Sequence, residues 1–174
     1  RPHNFEHPYF RKNMAFMRKE FPDFMDQMEA YGESIGCESF DETYYLHLSE
    51  TGREEDACSA FGIVLEEDGP AMLRTYDPSN QQGNEELLKD RFIGAYPDFK
   101  PHGFVGITGR KHCVVHTSVN DAGLLLGWAS GHPKFNWPDN PEHINLMLIY
   151  GLVPWHCADC EDVRRFISQY RISG

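Results

Sequence analysis

The chain has 174 residues, enough for one domain with a real core or for part of a larger one. Apolar residues make up 40 % and aromatics 13 %, which excludes a disordered chain. A formal charge of −11 argues against nucleic acid as a partner, since phosphates call for a clustered Lys/Arg surface. No apolar run approaches the ~20 residues that span a bilayer, and no signal-peptide pattern opens the chain. The five cysteines, Cys37, Cys58, Cys113, Cys157 and Cys160, are odd in number and too sparse for a disulfide framework. They suit a reducing, cytoplasmic compartment.

The first third predicts helices. Phe10, Met14, Met17, Phe21, Phe24, Met28 and Tyr31 step by three or four residues and lie on one stripe, which at that spacing is core packing. Pro22 divides the stripe into helices over 8–20 and 22–34, opened by Pro8 and Pro22. A third helix starts at Ser39, with Ser39 and Glu42 as a capping box. Ser49 to Ala57 is polar, carries Gly52 and predicts an exposed loop.

Beyond it the period changes. Ser59–Leu65 and Ala71–Tyr76 are short β-prone runs around Glu66-Glu-Asp-Gly-Pro70, a hairpin signal. Phe61, Val64 and Leu73 are its expected buried residues. Residues 77–103 are polar and broken by prolines, with one expected helix over Glu85–Phe92. Strands follow at Phe104–Thr108, Cys113–Val119 and Leu124–Ala129, with Asn120-Asp-Ala-Gly123 as the last turn. Gly131–Pro138 is a loop with Trp137. A helix is expected from an Asn140 cap to about Leu152. Another starts near Asp159 and turns Val163, Phe166, Ile167 and Tyr170 inward. Helices, antiparallel strands, then helices describe a layered α+β fold.

Chemistry concentrates in the hairpin. Cys58 opens its first strand, and Arg74 and Asp77 follow sixteen and nineteen residues later, at the end of the second. In an antiparallel hairpin the end of the second strand lies beside the start of the first, so both are brought back to Cys58. A cation and a carboxylate beside a thiol tune its ionisation and orient its base. The base itself is supplied if the chain is cut between Ala57 and Cys58, because the new α-amine has an ordinary pKa of ~7.7–8.0.

These residues resemble the start of the mature chain in the choloylglycine hydrolase and penicillin acyltransferase superfamily of N-terminal-nucleophile hydrolases. Acid ceramidase and N-acylethanolamine-hydrolysing acid amidase belong to the same group. The resemblance rests on Cys58-Ser-Ala-Phe and Leu73-Arg-Thr-Tyr-Asp77. It extends to Ser118-Val-Asn-Asp-Ala-Gly-Leu124, similar to an Asn-x-x-Gly-Leu turn, and to paired helices over Ile144–Tyr170. It implies an αββα sandwich over 58–174, present as its N-terminal half, preceded by a helical propeptide or small subunit over 1–57. It implies Cys58 as nucleophile, Asp77 as partner of its amine, and Arg74 on the substrate side. Ala57–Cys58 becomes the self-cleavage bond. The activity implied is a self-processing cysteine amidohydrolase or acyltransferase for a small-molecule amide or acyl substrate, without metal or cofactor. The remaining strands are expected in a C-terminal half, a second subunit or a symmetric copy. The competing reading is an unprocessed scaffold or binding protein on the same fold.

Two other cysteine patterns compete. Cys37 follows Gly36 and has Arg53 and Asp56 at the same two spacings, yet leads into a capped helix rather than a hairpin. Cys157-Ala-Asp-Cys160, beside His156, has one C-x-x-C and no second pair, which fits a helix corner better than a zinc or redox site. His112, His116, His132 and His143 lack metal spacing and read as packed or surface side chains.

Overall fold

The computed structural model describes residues 8–49, 57–77, 91–109, 114–128 and 140–173. The interior of the expected Ser49–Ala57 loop, residues 85–90 of the expected Glu85–Phe92 helix, and the Gly131–Pro138 loop with Trp137 lie outside them.

Helices α1 (Pro8–Glu20) and α2 (Pro22–Ser34) fall where the stripe and the prolines put them. Pro22 sits in the first turn of α2, where its missing N–H breaks no intrahelical bond. Phe10, Met17, Phe21, Phe24 and Met28 are all in the core, and Met14 packs against it. In α3 (Phe40–Ser49) the Ser39 hydroxyl accepts from the Glu42 N–H at 3.2 Å. The other half of the capping box is displaced by one residue, since the Glu42 carboxylate accepts from the Glu38 N–H at 2.8 Å.

Strands β1 (Ala57–Leu65) and β2 (Gly69–Asp77) form the expected antiparallel hairpin, as a separate two-stranded sheet. Strands β3 (Arg91–Tyr96), β4 (Phe104–Gly109), β5 (Thr117–Asn120) and β6 (Leu125–Gly127) form a four-stranded antiparallel sheet in that order. β3 corrects the sequence reading: Arg91 and Phe92 belong to a strand, not to the end of a helix. Phe92, Ile93 and Tyr96 are β-prone residue types, and pairing with β4 fixes the segment as a strand. The β5–β6 turn is as expected, with the Gly123 N–H donating to the Asn120 carbonyl at 3.0 Å. Gly123 has φ +87°, the left-handed residue that a three-residue hairpin loop needs.

Strand β7 (Ile144–Asn145) pairs in parallel with β8 (Ile172–Ser173), and between them run α4 (Leu146–His156) and α5 (Cys160–Gln169). The expected start of α4 at Asn140 is wrong. Asn140 makes a local turn, its Oδ1 accepting from the Glu142 N–H at 2.9 Å, and Asn145 is the true cap, accepting from the Met147 N–H at 2.9 Å. Asn-Pro signals a turn as well as a helix start, and the pairing of Ile144 with Ile172 selects the turn. α5 is capped by Asp159, which accepts from the Glu161 and Asp162 N–H groups. Val163, Phe166 and Tyr170 pack toward the core, whereas Ile167, expected inward, is exposed. One residue past Phe166 it has turned ~100° around the helix.

The arrangement is mixed α+β, and the described helices and strands share a core. Phe10, Met17, Met25 and Tyr44 of α1–α3 share it with Phe104, Leu124 and with Leu148 and Leu152 of α4. Alternation along the strands sends Phe104, Gly106, Thr108, Ser118 and Asn120 to the buried, helix-backed face. The opposite face carries two apolar rows set by register, Ile93–Ile107–Thr117–Gly127 and Ala95–Val105–Val119–Leu125. Ile93 is 74 % exposed on it, and Val105 and Ile107 are exposed as well. The hairpin departs from expectation in the same way. Phe61, Val64 and Leu73 are 63 %, 83 % and 66 % exposed instead of buried. The helices back the four-stranded sheet, and the outward face of β1–β2 is left open among the described residues.

Candidate active site on the β1–β2 hairpin

The hairpin register sets Cys58 opposite Tyr76, Ala57 opposite Asp77 and Ala60 opposite Arg74. Cys58 is thus bracketed on the partner strand by the two residues that sequence spacing nominated: Arg74 two pairs toward the turn, in the same-face row, and Asp77 one pair toward the strand start, in the row of the other face. This is placement of backbones; the side chains of Cys58 and Asp77 lie outside the described residues.

Arg74 is half-buried and turns toward the four-stranded sheet. Its Nε donates to the main-chain carbonyl of Trp128, and its guanidinium carbon stands 5.9 Å from the centroid of the same indole. Trp128 follows β6, where its own N–H donates to the His116 carbonyl at 3.0 Å. Its ring is buried between Tyr150 of α4, at 5.5 Å between centroids, and His116, at 5.0 Å. Beside this contact the hairpin packs on β6 at Gly127: a Cβ there would meet the flexible Met72 thioether at 2.6 Å and stand in ordinary contact with Ala60 Cβ at 3.8 Å. Burial pushes the Tyr150 hydroxyl up to about 12, and the positive charge of Arg74 opposes that rise.

Trp128 and Tyr150 were not foreseen as neighbours of Arg74. Strand alternation could have turned Trp128 inward, but no spacing within the sequence links β2 to α4. Asn120 has a structural role in the Asn-x-x-Gly-Leu turn. Its Nδ2 donates to the Pro154 and Cys157 carbonyls at 3.0 and 2.7 Å, while its Oδ1 accepts from the Leu124 N–H at 2.9 Å. It therefore ties the end of α4 to the β5–β6 turn and satisfies carbonyls that the helix end leaves open.

The competing thiols have different settings. Cys37 lies in the turn after α2, its N–H donating to the Gly32 carbonyl at 2.9 Å, while Arg53 and Asp56 lie outside the described residues. Cys157 is buried, and its thiol is pushed up to about 11, chiefly by burial and then by Asp162 and Asp159. That direction disfavours the thiolate required of a nucleophile or metal ligand. Cys160 is exposed at the start of α5, so only one of the two thiols at this corner is buried. Among the described residues no group of three His, Cys, Asp or Glu side chains could hold a metal ion. His143 is buried against Tyr9, whose hydroxyl is 2.8 Å from Nδ1. His112 and His132 lie outside the described residues. No described helix is long and apolar enough to cross a membrane.

Comparison of the chain with family models, with curated proteins and with solved structures finds no match in any of the three.

Proposed function

We propose that the chain carries the front half of an αββα N-terminal-nucleophile hydrolase, a self-processing cysteine amidase or acyltransferase with Cys58 as nucleophile. The observation that carries this reading is the β1–β2 register, which sets Arg74 on the Cys58 face of the hairpin and Asp77 in the adjacent row, opposite Ala57 at the bond to be cut. Thr, Ser or Cys at the head of a strand, with its own amine as base, is a recognised way to activate a nucleophile without a histidine. The exposed part of the four-stranded sheet's apolar face, at Ile93, Val105 and Ile107, supports the same reading. Sheet-on-sheet packing about 10 Å apart would cover such a face, with strands from outside the described residues or from another chain.

Two stages of chemistry follow. In the first, the Cys58 thiol adds to the Ala57 carbonyl, and the C–N bond breaks to leave a thioester and a free Cys58 amine. Water then cleaves the thioester, releasing the Ala57 carboxylate and restoring the thiol. In the second, that amine takes the thiol proton, the thiolate attacks the substrate amide, and the amine returns the proton to the leaving nitrogen. Water or another amine resolves the acyl thioester. Asp77 orients the amine, and Arg74 holds charge near the thiol and the polar end of the substrate. Because α1–α3 share the core of the rest, residues before the cut stay attached after it. They act as a small subunit rather than a discarded leader.

Intact mass and N-terminal sequencing of wild type, Cys58→Ala, Cys58→Ser and Cys37→Ala chains test this. The expected pattern is a new Cys58 terminus in wild type and Cys37→Ala, slow cutting in Cys58→Ser, and none in Cys58→Ala. A wild-type chain that stays intact points instead to the scaffold reading, and a terminus at Cys37 overturns the choice of nucleophile.

A further inference from the structure

Resting on that reading of Cys58 and Arg74, we infer that Trp128 is a positioning residue: it fixes the Arg74 guanidinium through its main-chain carbonyl and the face of its indole. Both contacts come from one residue, at the point where the hairpin meets the four-stranded sheet. An arginine side chain has several rotatable bonds to order, so on an exposed hairpin it would sweep widely. Here the group donates its Nε–H to an oxygen and stands over a ring at the outer reach of a cation–π contact, two interactions that guanidinium combines well.

The anchor is itself fixed from three sides. The Trp128 N–H is bonded to the His116 carbonyl, and its ring is packed between His116 and Tyr150. Met72 and Ala60 of the hairpin pack beside Gly127, the residue before Trp128, so β2 lies near enough for Arg74 to reach. The hairpin holds the nucleophile on β1, while the position of its cationic neighbour is dictated by β6 and α4. Docking of the hairpin on the sheet thereby becomes a condition for activity. A chain in which β1–β2 has swung away keeps Cys58, Arg74 and Asp77 in register but loses the fixed guanidinium.

The test reads the rate at which the Cys58 terminus appears after cell-free synthesis, for wild type, Trp128→Leu, Trp128→Phe, Arg74→Ala and the Arg74→Ala/Trp128→Leu pair. Trp128→Leu keeps the carbonyl and removes the ring face, and is expected to slow cutting about tenfold. Trp128→Phe is expected to recover most of that loss. The double variant should be no slower than Arg74→Ala alone, because a residue acting through another is non-additive with it. The pH midpoint of cutting should move upward in Trp128→Leu, since a displaced cation no longer favours the thiolate. Additive slowing in the double variant, or full-rate cutting by Trp128→Leu, overturns the role of Trp128 while leaving Cys58 in place. A wild-type chain that never cuts removes the functional reading and the role of Trp128 with it.

Discussion

The helix-backed side of the four-stranded sheet and the outward side of the β1–β2 hairpin are written in the same alphabet but meet different fates. Leu148, Leu152 and Phe10 are fully buried, while Phe61 and Leu73, an opposed pair in the hairpin register, stand in solvent. Both sets obey the periodicity of their own element. What differs is the layer beside them: α1, α2 and α4 close over one face, and no described element closes over the other. Apolar patterning states which side of an element is prepared for burial, and only a neighbouring layer completes it.

The largest test of this contrast is truncation on each side. Leu148→Ala should cost about 2–5 kcal/mol in denaturant unfolding, the range for a large-to-small change in a closed core. Leu73→Ser should cost below about 0.5 kcal/mol in the chain as described, as for a surface site. The comparison sharpens if Leu73→Ser leaves unfolding unchanged but abolishes association with a partner layer. It breaks if the two substitutions cost the same.

A smaller effect separates the sides by pH. Burial lowers the pKa of His143, against a hydrogen bond to the Asn140 carbonyl that raises it. His156 is exposed at the end of α4, but desolvation by the Phe21, Trp155 and Phe166 rings packed on it lowers its pKa as well, and Asp23 raises it in part. A base whose folded pKa is depressed binds fewer protons folded than unfolded, so stability falls as pH drops below ~6.5 and levels off below the folded value. Acid should therefore weaken the α1–α4 core first, and His143→Gln should flatten the unfolding midpoint between pH 7 and 5. A wild-type midpoint that rises on acidification in that window contradicts the burial argument. Asp121 titrates elsewhere: its hydrogen bonds to His102 and to the Gly103 N–H lower its pKa, so its contribution is lost only at more acid pH.

The smallest effect concerns the corner between α4 and α5. Cys160, exposed, should take up iodoacetamide in the native protein, while Cys157 stays unmodified until unfolding, as mass mapping of the labelled peptides would report. Equal labelling of both would show that the corner opens and that the closed core ends before it.

Much of this was legible without coordinates wherever the cause was local. The stripe from Phe10 to Tyr31 and the two prolines set α1 and α2, because helical spacing and the missing proline N–H act within a few residues. The hairpin was legible for the same reason, and with it the bracket of Cys58 by Arg74 and Asp77, since antiparallel pairing folds the chain directly back on itself. Tertiary structure decided the rest. β3 exists because β4 is beside it, α4 starts at Leu146 because Ile144 pairs with Ile172, and Phe61 is exposed because no described layer covers it. The meeting of Arg74 with Trp128 belongs to this second group: 54 residues separate them, and nothing in either segment encodes their contact until hairpin, sheet and α4 pack together.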